Sequence, residues 1–279
     1  MARQFEQVAF EPSDIRIDLQ HPAELHDDDW REVQDLRRIA FSSAFPHRDE
    51  EEINRFIPKN SPELYGKRVV DPTLAIPEGN SFANPLVARV FYSAGRNVVH
   101  ESNAYVRAHT NDKPRGRLIG YVAMADNTSG PLKVIRQAKM KFDDKRYAWV
   151  SCVAIDPRFH GAGVGTEAML NIFKSGHFRD HQPVSAYTLQ DNIGGLTADS
   201  AMGRRFVQNV LGLSRRKDPE TGTPLAAVPQ HIFGDDKRPV QQVAWNVRTV
   251  AAVRDGLITR QNAKKRDNGY ALGRKQNEV

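Results

Sequence analysis

The stretch Val153-Ala154-Ile155-Asp156-Pro157-Arg158-Phe159-His160-Gly161-Ala162-Gly163-Val164-Gly165-Thr166-Glu167-Ala168-Met169-Leu170 decides how the rest of the chain is read. A nearly unbroken apolar run over residues 147 to 155 leads into it and suits a central strand covered on both faces. Pro157 ends that strand by removing a ladder donor, and Gly161 and Gly163 let the backbone turn tightly with its amides toward a ligand. Residues 166 to 173 then read as a helix, with Ala168, Leu170, Ile172 and Phe173 available for packing. Consecutive bare amides in front of a helix N-terminus make an anion nest, and the length of the turn suits a pyrophosphate.

Two familiar nucleotide motifs do not fit the string. Gly161-Ala162-Gly163-Val164-Gly165 lacks the Gly-x-Gly-x-x-Gly order of a dinucleotide fold, and a Walker loop would need a Gly-Lys-Ser/Thr ending. The remaining alternative is a glycine-rich strand-to-helix connection that holds no ligand.

Working toward the N-terminus, residues 117 to 124 read as a strand, joined to another at 104 to 108 through the polar turn 111 to 116. A further strand is expected at 87 to 92. Residues 58 to 85, with Pro58, Pro62, Pro72, Pro77 and Pro85, read as an irregular insertion. Before it come a short helix at 49 to 56 and a longer one opened by Asp27, Asp28 and Asp29, followed by Trp30, Val33, Leu36, Arg37, Ile39 and Ala40. Three adjacent acids there favour the positive helix start and diverge too much to hold a metal. Residues 14 to 20 alternate as a half-buried strand does.

Toward the C-terminus, a strand is expected at 184 to 189, a helix at 198 to 211 stopped by Gly212, a strand at 240 to 250 and a helix at 251 to 261. The remainder, rich in Lys264, Lys265, Arg266, Arg274 and Lys275, reads as a basic, weakly structured tail. No internal repeat is visible.

Composition sets outer bounds on function. With 39% hydrophobic and 27% charged residues, and no apolar run near the roughly 20 residues that span a bilayer, a membrane role is not expected. The opening Met1-Ala2-Arg3-Gln4-Phe5-Glu6 lacks the apolar segment of a secretory signal, and the single Cys152 leaves no internal disulfide. A cytoplasmic protein is the expectation. The net charge of +6 favours anionic partners only mildly. His177 and His181 have no accompanying ligand pattern, so no metal is expected.

Arg158, Gly161 and Gly163 form an Arg-x-x-Gly-x-Gly string that resembles the hallmark of the GNAT acyltransferase superfamily. The order of elements over residues 14 to 250 is similar to that family's, with 251 to 279 as an appended helix and tail. The resemblance implies an α/β (mixed α+β) fold: a mixed, mostly antiparallel twisted sheet flanked by helices, splayed between the fourth and fifth strands. Acetyl-CoA would lie in that splay as co-substrate, with no metal. Val153 and Ile155 would present backbone groups to its pantetheine arm, and the amides of Phe159, His160, Gly161, Ala162, Gly163, Val164 and Gly165 would bind its pyrophosphate. Arg158, Thr166 and Asn192 complete the expected cofactor set.

Transfer of an acetyl group to an amine needs a neutral nucleophile, a polarised thioester carbonyl and a proton for the departing thiolate. The Val153 amide suits the second task. For the first, the family's strand carboxylate would align with Trp149 or Ser151, neither of which can replace it, so Glu101 or His160 is left to act through water. For the third, the position of the family's Tyr holds Gln208, which cannot donate a net proton, and Tyr187 is the substitute candidate. Cys152 has no activating base beside it in the sequence and reads as a packed thiol.

The leading expectation is an acetyl-CoA-dependent N-acetyltransferase acting on a primary amine of a small molecule or protein in a ternary complex. The alternatives are a GNAT-like acyl-CoA-binding module without catalysis, and an RNA-associated acyltransferase of the aminoacyl-tRNA type guided by the basic residues 260 to 275. The oligomeric state is left open, a dimer included.

Overall fold

The computed structural model describes residues 14–46, 48–55, 82–93, 116–127, 147–186, 206–214, 220–222 and 248–276. They form the strands β1 (Ile15–Gln20), β2 (Phe82–Tyr92), β3 (Arg117–Asn127), β4 (Tyr147–Ile155), β5 (Pro183–Ala186) and β6 (Arg248–Thr249). The helices are α1 (Asp27–Ala44), α2 (Glu50–Arg55), α3 (Val164–Lys174) and α4 (Val250–Gln276). The sheet runs in sequence order from β1 to β6; its described pairs are antiparallel except β4 with β5, which are parallel. The mixed, mostly antiparallel sheet flanked by helices is thus the architecture the sequence leads one to expect.

Both faces of the central strands are covered, which explains their near-continuous apolar runs. Val87, Phe91, Leu118, Tyr121 and Ala123 pack with Trp30, Val33 and Leu36 of α1. The alternate residues Ala88, Val90, Ile119, Val122 and Met124 pack with Ala168, Met169 and Ile172 of α3 and with Val253 and Leu257 of α4. Asp29 caps α1, its Oδ2 accepting from the His26 amide at 3.1 Å. Its other oxygen takes Nη1 of the buried Arg89 of β2, whose Nη2 donates to Gln20. A charge this deep needs such partners.

Several expected boundaries change. β3 is paired with β2 on one edge and β4 on the other, so the expected hairpin between 104 to 108 and 117 to 124 has no free edge to occupy. Residues 104 to 108 lie outside the described ones, as do 58 to 81 of the expected insertion. Its last residues belong to β2, which passes Pro85 through a register shift with Asn84 at φ 54°. A bulge is where a strand tolerates a proline. The expected helix at 198 to 211 is described only as one wide turn, Phe206–Val210, and Gly212 ends it at φ +66°, as its sequence position suggests. β6 passes directly into α4, Thr249 Oγ1 accepting from the Ala252 amide at 3.2 Å. The helix continues to Gln276, so the tail expected to be weakly structured is helical over 262 to 276. That segment has no proline, and helix formers outnumber its two glycines.

Candidate functional site

β4 changes character halfway along. Tyr147, Ala148, Trp149 and Val150 are buried, paired on one side to β3 and, over Ala148 to Val150, on the other to Val184, Ser185 and Ala186 of β5. At Ser151 the register with β3 shifts, Met124 facing Val150 and Ala123 facing Cys152. Ser151 Oγ donates to the Ala123 carbonyl at 3.1 Å, which satisfies the bulge. Past it, the Asp156 amide donates to the Ile119 carbonyl at 2.9 Å, so that residue faces β3. By the two-residue alternation of a strand, Val153 and Ile155 turn their N–H and C=O groups to the opposite edge. Among the described residues, β5 pairs with none of 151 to 155.

The chain then turns in three tied steps. Asp156 Oδ1 accepts from the Arg158 amide at 3.1 Å, starting a 3₁₀ turn over Pro157–Phe159. The amides of Phe159, His160 and Ala162 donate to the carbonyls of Asp156, Pro157 and Phe159. The buried Phe159 ring pins the turn edge-on to Tyr92, centroids 5.0 Å apart. Gly161 at φ 82° and Gly163 at φ 100° complete the reversal, and α3 begins at Val164. The first turn of a helix leaves its amides unpaired, so those of Val164, Gly165 and Thr166 join Gly161 and Gly163 as amides without a partner among the described residues. The seven amides expected to face a pyrophosphate are therefore not equivalent: three serve the turn itself.

The glycines differ in role. A Cβ on Gly161 or Gly163 would meet nothing within 4 Å, so both expose bare backbone to open space. A Cβ on Gly165 would stand 3.1 Å from the Phe206 ring, and one on Gly120 2.8 Å from Val164 Cγ1. These two let the wide turn at 206 to 210 and the start of α3 close onto the sheet.

Asp156 is the electrostatic hub. It is buried, and its oxygens take Arg117 at 3.0 Å and Arg158 at 2.6 and 3.0 Å. Burial raises its carboxyl above the ordinary range, with Arg117 and then His160 pulling the other way. Arg158 thus supplies positive charge to the turn while its guanidinium is held by Asp156. His160 Nε2 lies 3.0 Å from the Ile155 carbonyl. A carbonyl only accepts, so Nε2 carries the proton. Burial pulls the imidazole below its ordinary value of 6.5, so it is neutral at pH 7 and Nδ1 keeps a lone pair.

Val153, Ile155 and residues 158 to 166 are brought together at one end of β4 and the start of α3. Gln208 is exposed on the turn whose Phe206 covers Gly165. Trp149 is in the core and the Ser151 hydroxyl is committed to Ala123, so neither offers a base. Tyr187, Asn192 and Glu101 lie outside the described residues. Sequence reasoning missed Arg117, which nothing local connects to Asp156. The Asp-Pro step at 156 and 157 is a local signal of a side-chain-capped turn, which the reading of Pro157 as a strand stop left unused. No described helix is long and apolar enough to cross a membrane.

No protein-family model matches the chain, and no curated protein does. Solved structures do. An acetyltransferase of the GNAT family from Bacillus anthracis is similar at 12% identity and a TM-score of 0.40, over 84% of this chain and 95% of that one. A PaiA N-acetyltransferase from Thermoplasma acidophilum in complex with coenzyme A is similar at 11% and 0.39, over 83% and 99%. An N-acetyltransferase from Staphylococcus aureus is similar at 8% and 0.38, over 85% and 97%. Likenesses of this size concern the course of the chain alone, and function has to be read from the site.

Proposed function

We propose that the chain is an acyl-CoA-dependent N-acyltransferase of the GNAT type, moving an acetyl group from acetyl-CoA to a primary amine by direct attack in a ternary complex. One observation carries this reading. The outward backbone edge of Val153 and Ile155 runs into a turn with five amides, at Gly161 and at 163 to 166, that have no partner among the described residues. An amide-bearing arm followed by a pyrophosphate matches that order of groups, strand edge first and anion nest second. Bound there, the co-substrate supplies an activated thioester. The Val153 N–H polarises its carbonyl, the neutral amine nitrogen forms the new C–N bond as the C–S bond breaks, and the proton that the nitrogen sheds ends on the departing thiolate. Backbone polarisation requires no particular side chain, which fits a strand whose Trp149 and Ser151 are otherwise engaged.

The test is acetyl-CoA turnover followed by free-thiol release across a panel of polyamines, amino acids and peptides. Thiol release that depends on the acceptor is the expected result. A second reading has its own support: exposed Gln208 stands where a proton-donating Tyr is usual, as expected of an acyl-CoA-binding module without catalysis. Saturable coenzyme binding with no transfer to any acceptor would favour the module.

A further inference from the structure

Beyond the phosphate turn lies a second positive cluster, formed by Arg248 of β6 and Arg260 of α4. Arg248 Nη1 and Arg260 Nη2 converge on Gly212: a Cβ there would stand 2.7 Å from one and 2.9 Å from the other. The same two nitrogens would each be 3.9 Å from a Cβ on Gly256. Two glycines thus leave a slot into which two like charges are drawn together. Arg254, on the same helix, shows the ordinary arrangement, with Asp180 at 2.5 and 3.1 Å. Among the described residues Arg248 and Arg260 have no carboxylate. Among the same residues Arg248 has only a long 3.5 Å contact, to the Gly212 carbonyl. Arg260 Nη1 is shielded from solvent and has no acceptor among the described residues. Burial and the charge of Arg248 both weaken the hold of Arg260 on its proton. Such an arrangement is uphill unless an anion completes it.

The slot lies near the phosphate turn. Gln261, next to Arg260, donates to Glu167 in the first turn of α3, and the wide turn that ends at Gly212 begins with the Phe206 that covers Gly165.

We propose that Arg248 and Arg260 form a second anion site, which takes a phosphate-class oxyanion between their guanidinium groups in the slot beside Gly212 and Gly256. The competing account is capping alone, in which the two cations only neutralise the carbonyls ending the 206 to 210 turn. Both predict a loss of stability on substitution; only the first predicts a ligand.

The test is thermal unfolding titrated with inorganic phosphate and with sulfate, against chloride at matched ionic strength, in wild type, Arg260→Gln and Arg248→Gln. Gly163→Ala serves as the variant impaired at the phosphate turn. Saturable stabilisation by phosphate that persists in Gly163→Ala and disappears in both arginine variants is expected. Arg248 is exposed, so its variant keeps the test available if Arg260→Gln does not fold. A full phosphate response retained in the arginine variants overturns the site.

Titration with CoA and dephospho-CoA then identifies the source. A phosphate carried by the coenzyme makes Arg260→Gln weaken CoA about tenfold to a hundredfold and leave dephospho-CoA unchanged. A free anion leaves the two coenzymes alike. The inorganic-phosphate arm is independent of the acyltransferase reading: a chain that ignores CoA but responds to phosphate through Arg260 loses that function and keeps this site.

Discussion

Tyr147-Ala148-Trp149-Val150 and Cys152-Val153-Ala154-Ile155 are both short apolar runs on β4. The first is shut between β3 and β5, whereas the second is paired on one edge only among the described residues. Three of the four residues in the second are partly exposed. The Ser151 bulge divides them. On a strand, identical side-chain character can serve opposite purposes, because the backbone edge is a functional group in its own right. The closed half holds the sheet together. The open half offers the backbone groups of Val153 and the Ile155 N–H, the Ile155 carbonyl being held by His160 Nε2, at the mouth of a turn whose glycines leave further amides without a partner among the described residues.

This contrast can be tested by substitution. Trp149→Ala in the closed half should cost about 3–5 kcal/mol through the cavity it leaves, read as a lowered unfolding midpoint. Coenzyme affinity of the fraction still folded should not change; a large loss there would mean that the closed half is part of the site. Gly163→Ala should do the reverse. Forcing a side chain onto φ 100° costs roughly 1–2 kcal/mol, while CoA affinity should fall about tenfold or more as the nest reshapes. If titration calorimetry gave unchanged affinity, the turn would be only a connection.

Ser151→Ala tests the divide itself. Losing the bond to the Ala123 carbonyl should cost about 1 kcal/mol. If the bulge is fixed by that hydroxyl, exchange should quicken at the β3-facing amides of Cys152 and Ala154 and stay slow at Val150. Uniform exchange along β4 would dissolve the distinction.

The smallest effect concerns His160, whose ring reaches the Ile155 carbonyl at the open edge. Its imidazole titrates below 6.5 when folded, so the unfolded chain binds more protons between the folded value and 6.5. Stability is fully present above 6.5 and declines as the pH falls through that window. His160→Gln should flatten this acid-side slope in pH-dependent denaturant titrations. An unchanged slope would place the titration elsewhere.

Much of this was legible in the residues. The 147 to 155 run, the Pro157 stop and the Gly161 and Gly163 turn each depend on local backbone chemistry, and all appear close to where the sequence puts them. What escaped was non-local. The partner of β3 is β2 rather than the nearer candidate at 104 to 108, because strand pairing is decided by which edge is free and the chain between does not record it. The spending of three turn amides on their own carbonyls follows from the tightness of the 3₁₀ turn, which glycine spacing alone does not give. Arg117 meets Asp156, and Arg248 meets Arg260, only after the sheet and α4 are assembled. The positions at which the resemblance would place proton carriers hold Trp149, Ser151 and Gln208, and of the substitutes Glu101 and Tyr187 lie outside the described residues.

The most direct measurement is a CoA titration of isotopically labelled protein, followed by backbone amide resonances. The largest shifts are predicted at Gly161, at Gly163 through Thr166, and at Val153 and Ile155, with Ala148 through Val150 nearly still. No saturable shift, or shifts confined away from β4 and the start of α3, would contradict the account.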